Sequence, residues 1–70
     1  MYIHEAVKLA MERGCLIVDT NRENIIMAIQ PTNTADGLMI HALCGPESKP
    51  FPRWQPREDD ILSDGWELYE

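Results

Sequence analysis

Two segments of this chain are apolar on both sides. Ile25-Ile26-Met27-Ala28-Ile29 and Leu38-Met39-Ile40-His41-Ala42-Leu43-Cys44 run almost unbroken in apolar residues, His41 being the exception. A strand of that kind is buried on both faces of its sheet. The chain has 70 residues, and its pattern supplies one substantial helix, so one sheet face is covered from within and the other calls for a second subunit. Size points the same way. A domain this small buries only about 60% of the surface its unfolded chain exposes. Disulfides, a metal or oligomerisation are the usual supports.

Punctuation divides the rest. Ile3, Ala6, Val7, Ala10 and Met11 recur at helical spacing and make one apolar face. Glu5 suits the positive end of that helix dipole and Arg13 the negative end. Gly14 stands where a helix ends in the left-handed conformation. Cys15-Leu16-Ile17-Val18 reads as a first strand. Asp19-Thr20-Asn21-Arg22-Glu23-Asn24 reads as a polar turn, and Thr32 to Gly37 as another. Residues 25–29 and 38–44 are the second and third strands. Gly45 to Pro56 holds four prolines, which excludes a long central strand and leaves room for a brief one at Arg53-Trp54. Pro56 to Ser63 reads as a short helix opened by proline and three acids. Trp66 to Tyr69 alternates as a last strand, with Trp66 and Leu62 expected to be buried and to tie the short helix to the sheet. The order helix, three strands, short helix, strand predicts a single α+β domain over 1–70 with an antiparallel sheet.

Composition narrows the function classes. At 44% hydrophobic and 26% charged, the chain is neither disordered nor membrane-spanning. Its opening residues lack the basic and apolar regions of a secretion signal, so the cytoplasm is the expected compartment. Twelve acids against six bases give a net charge of −6, which disfavours duplex nucleic acid as a partner. Cys15 and Cys44 stand outside any C-x-x-C arrangement and read as small buried apolar groups. With His4 and His41 they lack the close paired spacing of a zinc site, so no metal and no cofactor is expected. Asp59 and Asp60 diverge on a helix, and His41 and Cys44 fall on opposite faces of a strand. No phosphate loop or nucleophile elbow is present. A binding protein is expected, not an enzyme.

The candidate ligand groups lie in the loops. Arg22, Arg53 and Arg57 are three of the four arginines, and loops are where ligands are met. Trp54 follows Arg53 in the proline-rich stretch. It either offers a stacking face for a nucleobase beside guanidinium groups that take phosphate, or anchors the loop. Asn21 and Asn24 can donate to phosphate. Asp60 either accepts from a ribose hydroxyl or a base amine, or caps its short helix.

The stretch Trp54-x-Pro56-x-x-x-Asp60-Ile61-Leu62-Ser63-Asp64-x-Trp66 resembles the C-terminal signature of the second, tetrameric family of small phage-encoded Thoeris anti-defence proteins. That signature runs approximately W-x-P-S-x-x-D-L-L-A-x-D-W. The opening helix, with Glu5-Ala6 and its end at Gly14, is similar too, so the resemblance covers the two ends of the chain. The chain departs from the family in three places. The turn after the first strand carries Arg22 but no aromatic residue, which bears on which signal binds. Ser63 stands in place of alanine, and Gly65 in place of aspartate. The resemblance implies a homotetramer that sequesters cyclic nucleotide immune signals without cleaving them. The signals are glycocyclic ADP-ribose, cyclic dinucleotides or both, met in the host cytoplasm if the chain is phage-encoded. The site residues would be Trp54, Arg57, Arg22, Arg53, Asn21, Asn24 and Asp60. The alternative from another class is a small acidic protein-binding inhibitor module.

Overall fold

The computed structural model describes residues 1–43 and 50–69. The expected end of the third strand at Cys44, and with it the buried role read for that thiol, lies outside the described residues. The fold is α+β. Helix α1 spans Ile3–Arg13, strands β1 Leu16–Asp19, β2 Met27–Pro31 and β3 Leu38–Ala42 follow, then the short helix α2, Glu58–Leu62, and β4, Trp66–Tyr69. The four strands form one sheet in the order β3-β2-β1-β4, every neighbouring pair antiparallel.

Helix α1 lies on one face of this sheet. Ala6 and Ala10 are fully buried there against Ile17, Ile29 and Trp66, their small side chains letting the helix axis approach closely. Met11 is exposed, because it sits about 100° round the helix from Ala10 and falls off the contact stripe. Gly14 ends the helix at φ +68° with its N–H donating to the Ala10 carbonyl, a conformation in which a Cβ would be strained. At the other end the Glu5 carboxylate accepts the Tyr2 N–H at 3.3 Å.

Register fixes which residues share a face. Ile17 pairs with Ile29 on one side and Leu68 on the other, and Ile29 pairs with Ile40. All four face α1. Their alternates Val18, Ala28, Gln30, Met39, His41 and Glu67 face away from it. On that open face of the edge strand β3, the half-buried His41 is hydrogen-bonded through Nε2 to Gln30 Oε1 at 2.6 Å.

Both sheet edges are occupied in part. The outer edge of β3 pairs with Phe51 opposite Ile40, and the Trp54 N–H donates to the Leu38 carbonyl at 2.8 Å. The brief strand expected at Arg53-Trp54 is instead a single bridge two residues earlier, because Arg53 adopts φ +59° and turns the chain out of extended geometry. At β4 the Trp66 N–H donates to the Met1 carbonyl at 2.9 Å.

Helix α2 corrects one expectation. Trp66 is buried at 2% exposure, but Leu62 is 73% exposed, and Asp60 is the residue α2 turns inward, at 4%. Asp60 and Leu62 stand about 200° apart on a helix, so burying one exposes the other. Two contacts hold Asp60 in: the Arg57 N–H donates to its Oδ2 at 2.8 Å, and the Arg22 guanidinium donates to its Oδ1.

Candidate functional site: a cleft over two buried carboxylates

The antiparallel pairing of β1 with β4 sets Asp19 beside Trp66. Asp19 ends its strand and is 8% exposed. Its Oδ1 accepts the Asn21 N–H at 3.0 Å and the Ser63 hydroxyl at 2.8 Å. The first is an Asx turn, which bends the chain and brings Arg22 back over the strand end. From there Arg22 reaches both carboxylates: its Nε lies 3.7 Å from Asp19 Oδ2, and its terminal nitrogen bonds Asp60 across 38 positions of sequence. Two buried acids thus share one guanidinium whose side chain is 47% exposed. A buried carboxylate without such partners would cost several kcal/mol, so the arginine and the backbone donors are what allow both acids to sit inside. Among the described residues these are the only ion pairs.

The indole of Trp66 completes the arrangement. Its Nε1–H donates to the Asp60 carbonyl at 2.7 Å, fully buried. Trp54 meets that indole at 6.0 Å between ring centroids with the planes 68° apart, an edge-to-face pair. Trp54 is half-buried and rests on the main core, which supplies the anchoring role.

A cleft of about 130 Å³ opens beside this cluster. Asp19, Arg22, Asn24 and Asp60 supply its polar wall, and Ile25, Ile26, Met27, Ile29 and Trp66 its apolar one. A second, more open depression lies on the other side of Arg22, bounded by Asn21, Asp59, Leu62 and Ser63. The first volume is below the roughly 300–1,000 Å³ that enclose a whole small-molecule ligand. The cleft therefore has room for a group the size of a single ring or sugar.

Of the seven residues singled out from sequence, Arg22, Asn24 and Asp60 line this cleft together. Asn21 adjoins it, its carboxamide donating to Ser63 Oγ at 3.1 Å and Asp64 Oδ1 at 3.2 Å. Arg57 adjoins it through its backbone bond to Asp60, its side chain exposed. Asp60 both caps α2 and bonds Arg22, so the capping role is met while it also lines the cleft. Trp54 is not among the cleft's lining residues and meets Trp66, which is. Arg53 stands apart, its N–H bonded to the Asp36 carbonyl at 2.8 Å beside the turn between β2 and β3. Sequence reasoning missed Asp19; the Asp-Thr-Asn order at a strand end is an Asx-turn signal that marks it.

Among the described residues no cluster of three or more His, Cys, Asp or Glu is placed to hold a metal ion, and no helix is long and apolar enough to cross a membrane. Cys15 is a free, half-buried thiol. A scan of protein-family models, a search of curated proteins and a search of solved structures each find no match to this chain.

Proposed function

We propose that this chain captures a cyclic nucleotide immune signal, glycocyclic ADP-ribose or a cyclic dinucleotide, and holds it uncleaved, in the manner of the Thoeris anti-defence proteins its C-terminal stretch resembles. The working form is a homotetramer in the cytoplasm of the host cell. The observation that carries this reading is the cleft at Arg22. A half-exposed guanidinium is fixed by two carboxylates on one side, which leaves its outer donors free for a phosphate. Asn24 adds an amide donor on the same wall, and Ile25, Ile26, Met27 and Trp66 give an apolar surface for a base or sugar. Both Asp60 oxygens already accept hydrogen bonds. The group is thereby held as an orienting acceptor, which suits binding more than proton transfer.

The net charge of −6 opposes an anionic ligand at long range, but screening over about 8 Å at physiological salt leaves close donors to decide affinity. The test is depletion and return. The protein is incubated with a panel of cyclic nucleotides and removed by filtration, and the filtrate is assayed; the protein is then denatured and the released ligand chromatographed. Depletion of at least one signal with intact recovery is expected. Recovery of a cleaved product would make the chain an enzyme. Depletion of none would refute the reading and favour the acidic protein-binding module.

A further inference from the structure

The wall of the cleft holds one acceptor that the chain itself does not satisfy. The Asp19 side chain is only 7% exposed. Its Oδ1 takes the Asn21 N–H and the Ser63 hydroxyl, from two residues that bound the neighbouring depression and not the cleft. Its Oδ2 accepts no hydrogen bond from any described residue. The Arg22 Nε contact there is at 3.7 Å, an ion pair beyond hydrogen-bond reach. Among the described residues no fully buried side-chain polar atom is without a hydrogen-bond partner, so Oδ2 keeps some surface open, and the side left to it is the cleft. Asp60 offers nothing comparable, because each of its oxygens is already bonded. A carboxylate set this deep gains from a donor, since an acceptor taken from water and left unmet is costly.

We propose that Asp19 is the specificity-determining residue of the cleft. Its Oδ2 accepts the exocyclic amine of a base that sets this amine beside a ring nitrogen, the 4-aminopyrimidine edge of adenine or cytosine. The inference rests on the capture of a cyclic nucleotide proposed above and names the part of the ligand that enters the cleft. Three features select this group. Five of the nine lining residues are apolar, Ile25, Ile26, Met27, Ile29 and Trp66, a wall suited to the flat face of a ring and not to the hydroxyls of a sugar. The polar side sets one open acceptor beside the Arg22 guanidinium, and the aminopyrimidine edge returns one donor beside one acceptor. Guanine presents two adjacent donors, its N1–H and its 2-amine, and a single free oxygen leaves the second unmet. The charges agree as well. Asp19 and Asp60 against Arg22 leave one negative charge in excess, which favours an amine inside and turns a phosphate outward, to the exposed part of Arg22.

The experiment is calorimetric titration of the full chain with matched pairs. Cyclic di-AMP, glycocyclic ADP-ribose and cyclic di-CMP are each compared with a counterpart in which hydrogen replaces the exocyclic amine, so that the ring and its nitrogen stay and only the donor is lost. The parent should bind the amine member of at least one pair about 10- to 100-fold more tightly, and the adenine and cytosine arms show which base supplies the edge. Asp19→Asn keeps an oxygen for Asn21 and Ser63 and removes the acceptor at Oδ2. Within the same pair the ratio should then fall to about one, whereas a merely structural role would weaken both members and leave the ratio as it was. The ratio measured on the parent needs no variant, so it stands even if Asp19→Asn folds poorly. Equal binding of the two members by the parent, or a ratio retained in Asp19→Asn, would overturn the inference and leave signal capture standing. Binding of no ligand in the panel would overturn signal capture itself, and this inference with it.

Discussion

Replacing Asp60 by alanine should destabilise this protein more than replacing Leu62 by alanine, the reverse of what side-chain hydrophobicity alone would rank. Asp60 loses two partners. The bond from the Arg57 N–H at 2.8 Å is an N-terminal helix cap, worth about 0.5–2 kcal/mol. The ion pair with Arg22 is discounted because the Arg22 side chain is 47% exposed, and it adds about 0.5–1 kcal/mol. The total is about 1–3 kcal/mol. Leu62 is 73% exposed, so truncating it removes little buried area and costs about 0.5 kcal/mol in the isolated subunit.

A domain of 70 residues has roughly 3.5–10 kcal/mol of stability in all. Each kcal/mol lowers the melting temperature by roughly 4–8 °C at this size. Asp60→Ala should therefore melt roughly 4–24 °C below the parent, and Leu62→Ala within a few degrees of it. Thermal melts followed by circular dichroism over a dilution series make the comparison. The Asp60 effect should be independent of concentration. A Leu62 effect that grew with concentration would report self-association. If Leu62→Ala is the more destabilising at the dilute limit, α2 packs by its other face and the cleft described here does not exist.

Gly65→Ala should also destabilise: an added Cβ would lie 2.6 Å from Asn21 Cγ, so the Asn21 carboxamide must leave Ser63 and Asp64, at a cost of about 1–3 kcal/mol by chemical denaturation. Trp54→Ala should lower stability as a core truncation does, by about 2–3 kcal/mol given its partial burial and its edge-on contact with Trp66; a variant that melts with the parent but loses ligand would return Trp54 to the binding surface. Asn24→Ala, exposed on the cleft wall, should leave stability within about 0.5 kcal/mol and weaken capture of the signal in calorimetric titration.

What the sequence made legible is what local pattern controls. Helix α1, its end at Gly14, the antiparallel class and the burial of Trp66 follow from spacing, a left-handed glycine and one large aromatic in an alternating strand. Strand β2 starts at Met27 instead of Ile25, because the chain from Asn21 to Ile26 is drawn into the loop that carries Arg22 over the strand end. The orientation of α2 was hidden for a different reason. Five residues give barely more than one turn, too few for periodicity to show an inward side, and the bond that chooses the side joins Arg22 to Asp60 from 38 positions away. Apolar content favours the opposite choice, with Ile61 and Leu62 inward. Local hydrophobicity is overruled here by Asp60's partners: the distant Arg22 guanidinium and the capping Arg57 N–H, with the Trp66 indole donating to its carbonyl. That reversal leaves two aliphatic side chains in water unless something covers them. The same ion pair that builds the cleft therefore also turns Ile61 and Leu62 outward, so the cleft and the exposed aliphatic pair beside it both trace to Arg22 and Asp60.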